Sequence, residues 1–260
     1  MKPCFIPFLA ICLLLSSCVA TIPSIPTSHI PEKAHEVNVA AAFGMPRFSG
    51  NIAYNPHKNF GFVLAGNAGK ESLADFLIVG AVVPNQSRWR TYLEGGVAGY
   101  YHFNNWFAGS ITPTIGQVRF FIVDNRSDFA SGVDTLGGRE SRQALFFNSR
   151  FKIELRPSIN MNFRVGLRVA NNTLKIETAD VDNKALVGKN FRITTVEPMF
   201  YSDTQFHNFT LFSVIGVDLS KNHYSNVTVE SSRSPLYIGL GLGYTFNGVD
   251  SRGSRPQSKQ

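Results

Sequence analysis

Apolar and polar residues alternate with a period of two over most of the chain, which predicts strands with two unlike faces. In 160–170 (NMNFRVGLRVA) one face is Met161, Phe163, Val165, Leu167 and Val169. The other is Asn160, Asn162, Arg164, Gly166 and Arg168. Residues 147–156 (FNSRFKIELR) repeat the division: Phe147, Phe151, Ile153 and Leu155 share a face with Ser149, opposite Asn148, Arg150, Lys152, Glu154 and Arg156. Pro157-Ser158-Ile159 joins the two as a short turn, so together they predict a hairpin with one apolar and one charged face. A third strand, 236–246 (LYIGLGLGYTF), sets Leu236, Ile238, Leu240, Leu242, Tyr244 and Phe246 against Tyr237, Gly239, Gly241, Gly243 and Thr245. Alternating glycines weaken a water-facing strand, but they suit a narrow lumen that receives bulky side chains from opposite strands.

The same pattern predicts strands near 35–43, 49–55, 58–68, 89–102, 106–120, 144–156, 159–170, 190–200, 208–219 and 235–246. Short turns fall at 56–57, 103–105, 157–158 and 201–207. Long loops fall at 69–88, 121–143, 171–189 and 220–234. Only 44–48 breaks this alternation. Loops segregated by length are the habit of a membrane barrel. The expected fold is therefore all-β: a transmembrane antiparallel up-and-down β-barrel of about ten strands, with eight as the alternative. An even count puts both chain ends on one side. Residues 75–83 (DFLIVGAVV) look strand-like inside a predicted loop and are assigned to a strand extension or loop hairpin. Trp89, Tyr92, Tyr100, Tyr101, Phe103, Trp106, Phe107, Phe120 and Phe121 cluster near predicted strand ends, as interfacial girdles would.

Composition agrees. Charged residues are 17% against about 25% in soluble domains, while 43% hydrophobic content excludes a disordered chain. After residue 17 no apolar run approaches the ~20 residues of a spanning helix. Residues 1–17 (MKPCFIPFLAICLLLSS) have the charge, apolar run and small polar close of a secretory signal. Leu15-Ser16-Ser17-Cys18 follows. Cys4, Cys12 and Cys18 are the three cysteines, and two would leave with the signal, so no disulfide or zinc thiolate site is expected. The net charge of +7, or +6 without Lys2, forms no dense patch, so nucleic acid is not an expected partner. Residues 19–34 carry Pro23, Pro26 and Pro31 and predict an extended spacer. The tail 247–260 (NGVDSRGSRPQSKQ) is polar and predicts disorder.

Leu15 to Cys18 resembles the lipobox of bacterial lipoproteins, which implies lipidation at Cys18. The absence of Asp at position 19 implies outer-membrane delivery in that family. Over 35–246 the chain resembles small outer-membrane β-barrels of Gram-negative bacteria, some lipid-anchored and mostly of unknown role. The resemblance rests on Tyr92-Leu93-Glu94-Gly95-Gly96 running into Gly99-Tyr100-Tyr101, on Val196-Glu197-Pro198, and on the closing strand ending at Phe246. It departs from the pattern in continuing past Phe246. It implies outer-membrane lipid as surroundings, the barrel assembly and lipoprotein sorting machineries as partners during biogenesis, and periplasmic termini. It says nothing of oligomeric state.

Candidate chemistry is sparse. The expected lumen-lining charges are Glu94, Arg150, Lys152, Glu154, Arg164 and Arg168, with Glu197 as a further candidate. They predict either a salt-bridged plug, since narrow barrels fill their interiors, or a polar conduit. On these residues alone the lumen is net positive. His57, His102 and His207 fall in or near short turns without a ligand-spacing motif, and predict surface histidines rather than a metal site. G-x-S-x-G, H-E-x-x-H and Walker A motifs are absent. His223 with Ser220 and Ser225 lies in a loop without an orienting partner. No enzyme and no cofactor is expected. Three functions remain: a closed outer-membrane barrel lipoprotein with a structural or surface-interaction role, a narrow anion-preferring channel for small solutes, and a soluble periplasmic ligand-binding barrel. The last would turn its charged face to water.

Overall fold

The structure is a computed structural model that describes residues 29–44, 47–72, 85–125, 134–156, 159–179, 184–217, 219–222 and 236–247. Cys18, segment 75–83, His223 and the tail beyond Asn247 lie outside these residues. Eleven strands follow in order: β1 (Glu36–Gly44), β2 (Arg47–His57), β3 (Phe60–Ser72), β4 (Asn85–His102), β5 (Phe107–Asn125), β6 (Asp134–Arg156), β7 (Ile159–Ala179), β8 (Asn190–Phe206), β9 (Phe209–Val217), β10 (Leu219–Asn222) and β11 (Leu236–Asn247). Neighbours in sequence pair antiparallel from β1 to β9, while β11 pairs with both β9 and β1. β10 continues the register of β9 along β8, so the two form one stave, and the sheet closes into a ten-stave barrel.

The alternation that predicts the strands also sets their orientation. On β7, Val165 and Leu167 are 54% and 41% exposed, whereas Arg164 and Arg168 are buried. Phe62, Leu64, Leu93, Val97, Ile111, Ile115, Phe147, Ile153, Leu211 and Leu242 likewise face outward. The interior is polar and charged: Asn38, Asn51, Glu94, Thr112, Glu140, Arg142, Arg150, Thr195 and Asp203 are buried. Water-soluble folds place these residue types the other way round.

At one end the staves join through short turns at 58–59, 103–106 and 207–208, with Glu36 and Asn247 paired beside them. His207 takes the left-handed conformation, φ 55°, in the two-residue turn between β8 and β9. Aromatic rings crowd the outside of this turn end. Tyr101, Phe103, Phe107, Trp106 and Phe151 form a chain of ring contacts, and Phe209, Tyr244 and Phe246 form another. Trp89 and Phe121, opposed across β4 and β5 toward the other end, are also exposed. Tyr92 and Tyr100 depart from the girdle expectation: both occupy inward positions and are buried.

At the other end the staves run further than the periodicity predicts. β5 reaches Asn125, β6 begins at Asp134 and β7 reaches Ala179, so most of the expected loop 121–143 and the first part of the expected loop 171–189 are strand. A short 3-10 turn, Lys184–Leu186, folds back against β7. It buries Leu186 with Ile176 and Phe191 against Phe120, Leu136 and Leu174, capping this end with an apolar cluster. Gly188 follows at φ 82°, which lets Lys189 NH reach the Leu186 carbonyl.

Candidate functional site

Among the described residues the barrel interior concentrates buried charge, and it is built in two tiers. The middle tier is a strut of alternating charge. Arg142 of β6 meets Glu197 of β8 at 2.5 Å. Arg168 of β7, directly opposite Glu197 in the sheet, holds its other carboxylate oxygen, with Nε at 2.8 Å. Arg168 continues to Glu94 of β4 at 3.7 Å, and Thr114 of β5 donates a hydrogen bond to the same carboxylate. Arg168 is 0% and Glu197 1% exposed. The Arg142 guanidinium lies 5.8 Å from the Tyr92 ring centroid. Toward the loop end Arg90 pairs with Glu140 at 3.2 Å. Toward the turn end Arg164 pairs with Asp203 at 2.5 Å, and Asn162 donates to Asp203 at 2.6 Å. Pairing of this kind is what lets an ion remain in a low-dielectric interior, where an unpartnered one costs several kcal/mol.

The lower tier is made by the chain itself. Residues 29–35 turn into the turn end of the barrel instead of continuing as the extended spacer expected for 19–34. Ile30 is the only bulky aliphatic side chain in that stretch, and it buries among Ala53, Val63, Ala98, Tyr100 and Ala108 of the barrel wall. Arg150 donates to the Ile30 carbonyl at 3.1 Å, and His102 Nε2 lies 2.8 Å from the Pro31 carbonyl. Lys152 reaches Glu32 at 2.8 Å, with Arg150 at 3.5 Å from the same carboxylate. Glu36 accepts from the Glu32 and Lys33 amides and lies 3.2 Å from His29 Nε2. Burial pushes the Glu32 carboxyl up, but the Lys152 hydrogen bond and the charges of Arg150, Lys152 and His29 outweigh it, so Glu32 is held below the usual carboxylate range. A small cavity remains beside His29, lined by Asn38, Asn51, Arg164 and Phe212.

Of the residues expected in the lumen, Glu94, Arg150, Arg164 and Arg168 are buried inside, and Lys152 is largely covered at the plug. Glu154 is placed differently: it belongs to the same stave face but lies beyond the plug, 71% exposed, 3.7 Å from Lys152 at the rim. Glu197 is inside. The net positive lumen needs correction. Arg90, Glu140, Arg142 and Asp203 also point in, together with Glu32 and Glu36 of the plug. The described interior ion pairs thus involve six Lys or Arg and six Asp or Glu side chains. The excess of positive charge behind the expected anion preference is absent among these described pairs.

The three turn histidines do not converge. His102 binds the plug, His57 and His207 are exposed, and no group of three metal-ligand residue types occurs among the described residues. No protein-family model and no curated protein matches the sequence.

Proposed function

We propose that this protein is an outer-membrane β-barrel lipoprotein, anchored through Cys18, whose closed interior gives it a structural or surface-interaction role rather than a transport role. The observation that carries this reading is the inversion of the barrel: apolar residues outside, paired charges inside. In water the exposed apolar staves would form a patch far beyond what soluble monomers tolerate. In a bilayer they meet hydrocarbon, and the aromatic rings at the turn end meet headgroups. Along β7 the outward apolar set from Ile159 to Val169 spans ten residue steps, or ~33 Å, which at a 45° tilt gives ~23 Å of height. That matches the ~25 Å apolar band of outer-membrane barrels. With ten staves both barrel ends of the chain lie at the turn end, on the side of the proposed lipid anchor.

The strut and the plug, which set paired groups across the barrel, support a closed lumen. Purified protein in planar bilayers is expected to pass no steady current. A steady current from the intact protein would promote the channel reading. The membrane reading is tested by Leu167→Arg. The substitution is expected to cost ~2–4 kcal/mol in unfolding from lipid vesicles if the site faces the bilayer midplane. Equal stability of variant and wild type would overturn it. Cys18→Ser is expected to lose palmitate-analogue labelling while the barrel still folds.

A further inference from the structure

The outer face of the tall wall, β5 to β8, changes character in steps. On β6, β7 and β8 the last apolar row is Leu145, Val169 and Val196. The next row is polar on those three strands, Gln143, Asn171 and Thr194, with exposed Ile115 of β5 at its edge, and the one after it, Gln117, Ser141, Thr173 and Arg192, is polar throughout. In the third row Arg119 stands directly opposite Arg139, and Arg139 directly opposite Lys175. All three are exposed. Directly opposed side chains on one sheet face lie ~4.5–5.5 Å apart, and like charges there destabilise the pairing. Inside the barrel the one comparable pair, Arg150 opposite Arg164, is answered by Glu32 and Asp203. Outside, Glu177 answers Arg139 at 3.0 Å, and Arg192 adds a fourth cation one row below.

We infer that this wall binds a phosphate-bearing glycolipid of the outer leaflet: acyl chains on the last apolar row, sugar over the two polar rows, phosphates on Arg119, Arg139, Lys175 and Arg192. The inference rests on the membrane reading above. The row spacing selects the ligand class. From Val169 to Lys175 is ~20 Å along the strand, or roughly 14 Å of height at a 45° tilt. A simple phospholipid carries its phosphate close to the hydrocarbon boundary. A sugar headgroup fills the intervening amide and hydroxyl rows and lifts its phosphates to the cations. Guanidinium groups bind phosphate oxygens bidentately.

The test uses the full-length protein in neutral detergent micelles with three probes: a diphosphorylated glucosamine-disaccharide lipid, the same lipid stripped of phosphate, and inorganic pyrophosphate. Native mass spectrometry and thermal unfolding report binding. The phosphorylated lipid is expected to bind about tenfold or more tightly than the stripped one, with the difference shrinking at high salt. Arg119→Gln/Lys175→Gln is expected to erase the preference, with folding checked by the unmodified strand signal in circular dichroism. Glu177→Gln is expected to strengthen it, a gain that damage to the fold would not produce. Equal binding of both lipids, or a preference kept by the double variant, overturns the site. Pyrophosphate binding as tightly as the phosphorylated lipid also overturns it, in favour of a free-anion site. Flotation with phosphatidylcholine vesicles separates the two failures. A protein that inserts but shows no preference loses only the site, and one that never inserts loses the membrane reading with it.

Discussion

The wall of β6, β7 and β8 and the wall of β11, β1 and β2 face the same lumen with opposite kinds of side chain. The first projects Arg142, Phe146, Arg150, Arg164, Arg168, Glu197 and Tyr201. The second offers Asn38, Ala40, Ala42, Ser49, Asn51, Ala53 and the glycines of β11. Ala40 and Ala42 pack in one cluster with Phe146, Met199, Tyr201 and Phe212, and the cavity beside His29 brings Arg164 together with Asn38 and Asn51. The lumen is filled by giving size to one wall and room to the other. The large wall therefore stands or falls on charge pairing, and the small wall on steric room.

The most damaging way to break the large wall is Glu197→Ala. It strips Arg142 and Arg168 of their shared partner where water cannot reach them, at an expected ~3–5 kcal/mol. Urea unfolding in lipid vesicles measures it, and a loss below about 1 kcal/mol would mean that the strut is not what holds these arginines.

The small wall breaks by filling it. A Cβ at position 241 would stand 2.2 Å from Phe212 Cζ and 2.6 Å from the Ala41 carbonyl. Gly241→Leu is expected to cost ~1–3 kcal/mol by overpacking. Phe212→Ala in the same chain should return part of that loss, because it clears the nearest obstacle; a double variant no better than the sum of the singles would argue against room as the reason for the glycine.

The smallest effect belongs to the plug. Glu32→Gln removes a partly exposed partner of Lys152 and Arg150, worth under about 1 kcal/mol. Its pH dependence is more telling than its size. The folded carboxyl ionises more readily than the ordinary group at 4.5, so its stabilising contribution is complete above that value and fades as pH falls through it toward the lower folded value. Hydrogen exchange of residues 29–35, corrected for intrinsic rates, is expected to quicken on acidification in the wild type and much less in Glu32→Gln.

These walls were not equally legible in the sequence. The hairpin 147–170 announced both its faces, because its outer side is apolar and its inner side charged. Glu140 and Arg142 gave no such sign. Within Arg139-Glu140-Ser141-Arg142-Gln143 both faces are polar, so the strand continues after its periodicity has vanished. Asp203 falls within the expected turn 201–207 for a related reason: Tyr201-Ser202-Asp203-Thr204 has no apolar alternation to mark it as β8. Without these acids the expected lumen carries a net positive charge. The plug was hidden differently. The prolines at 23, 26 and 31 favour extended chain, and nothing local tells that Ile30 has a pocket among Ala53, Val63, Ala98, Tyr100 and Ala108, or that His102 and Arg150 hold the carbonyls beside it.

The seam between β1 and β11 has a consequence for the order in which the barrel can form. Its partners, Glu36 with Asn247 through Phe43 with Leu240, are separated by about two hundred residues, so the entropic cost of closing that loop falls on the last pairing rather than the first. Hairpins such as β6–β7 can assemble early from neighbours, while the sheet remains an open ribbon with β1 as a free edge. Residues 29–35 run directly into β1. The segment that stoppers the turn end is thus delivered by the strand that shuts the wall, and sealing and closing become a single late event.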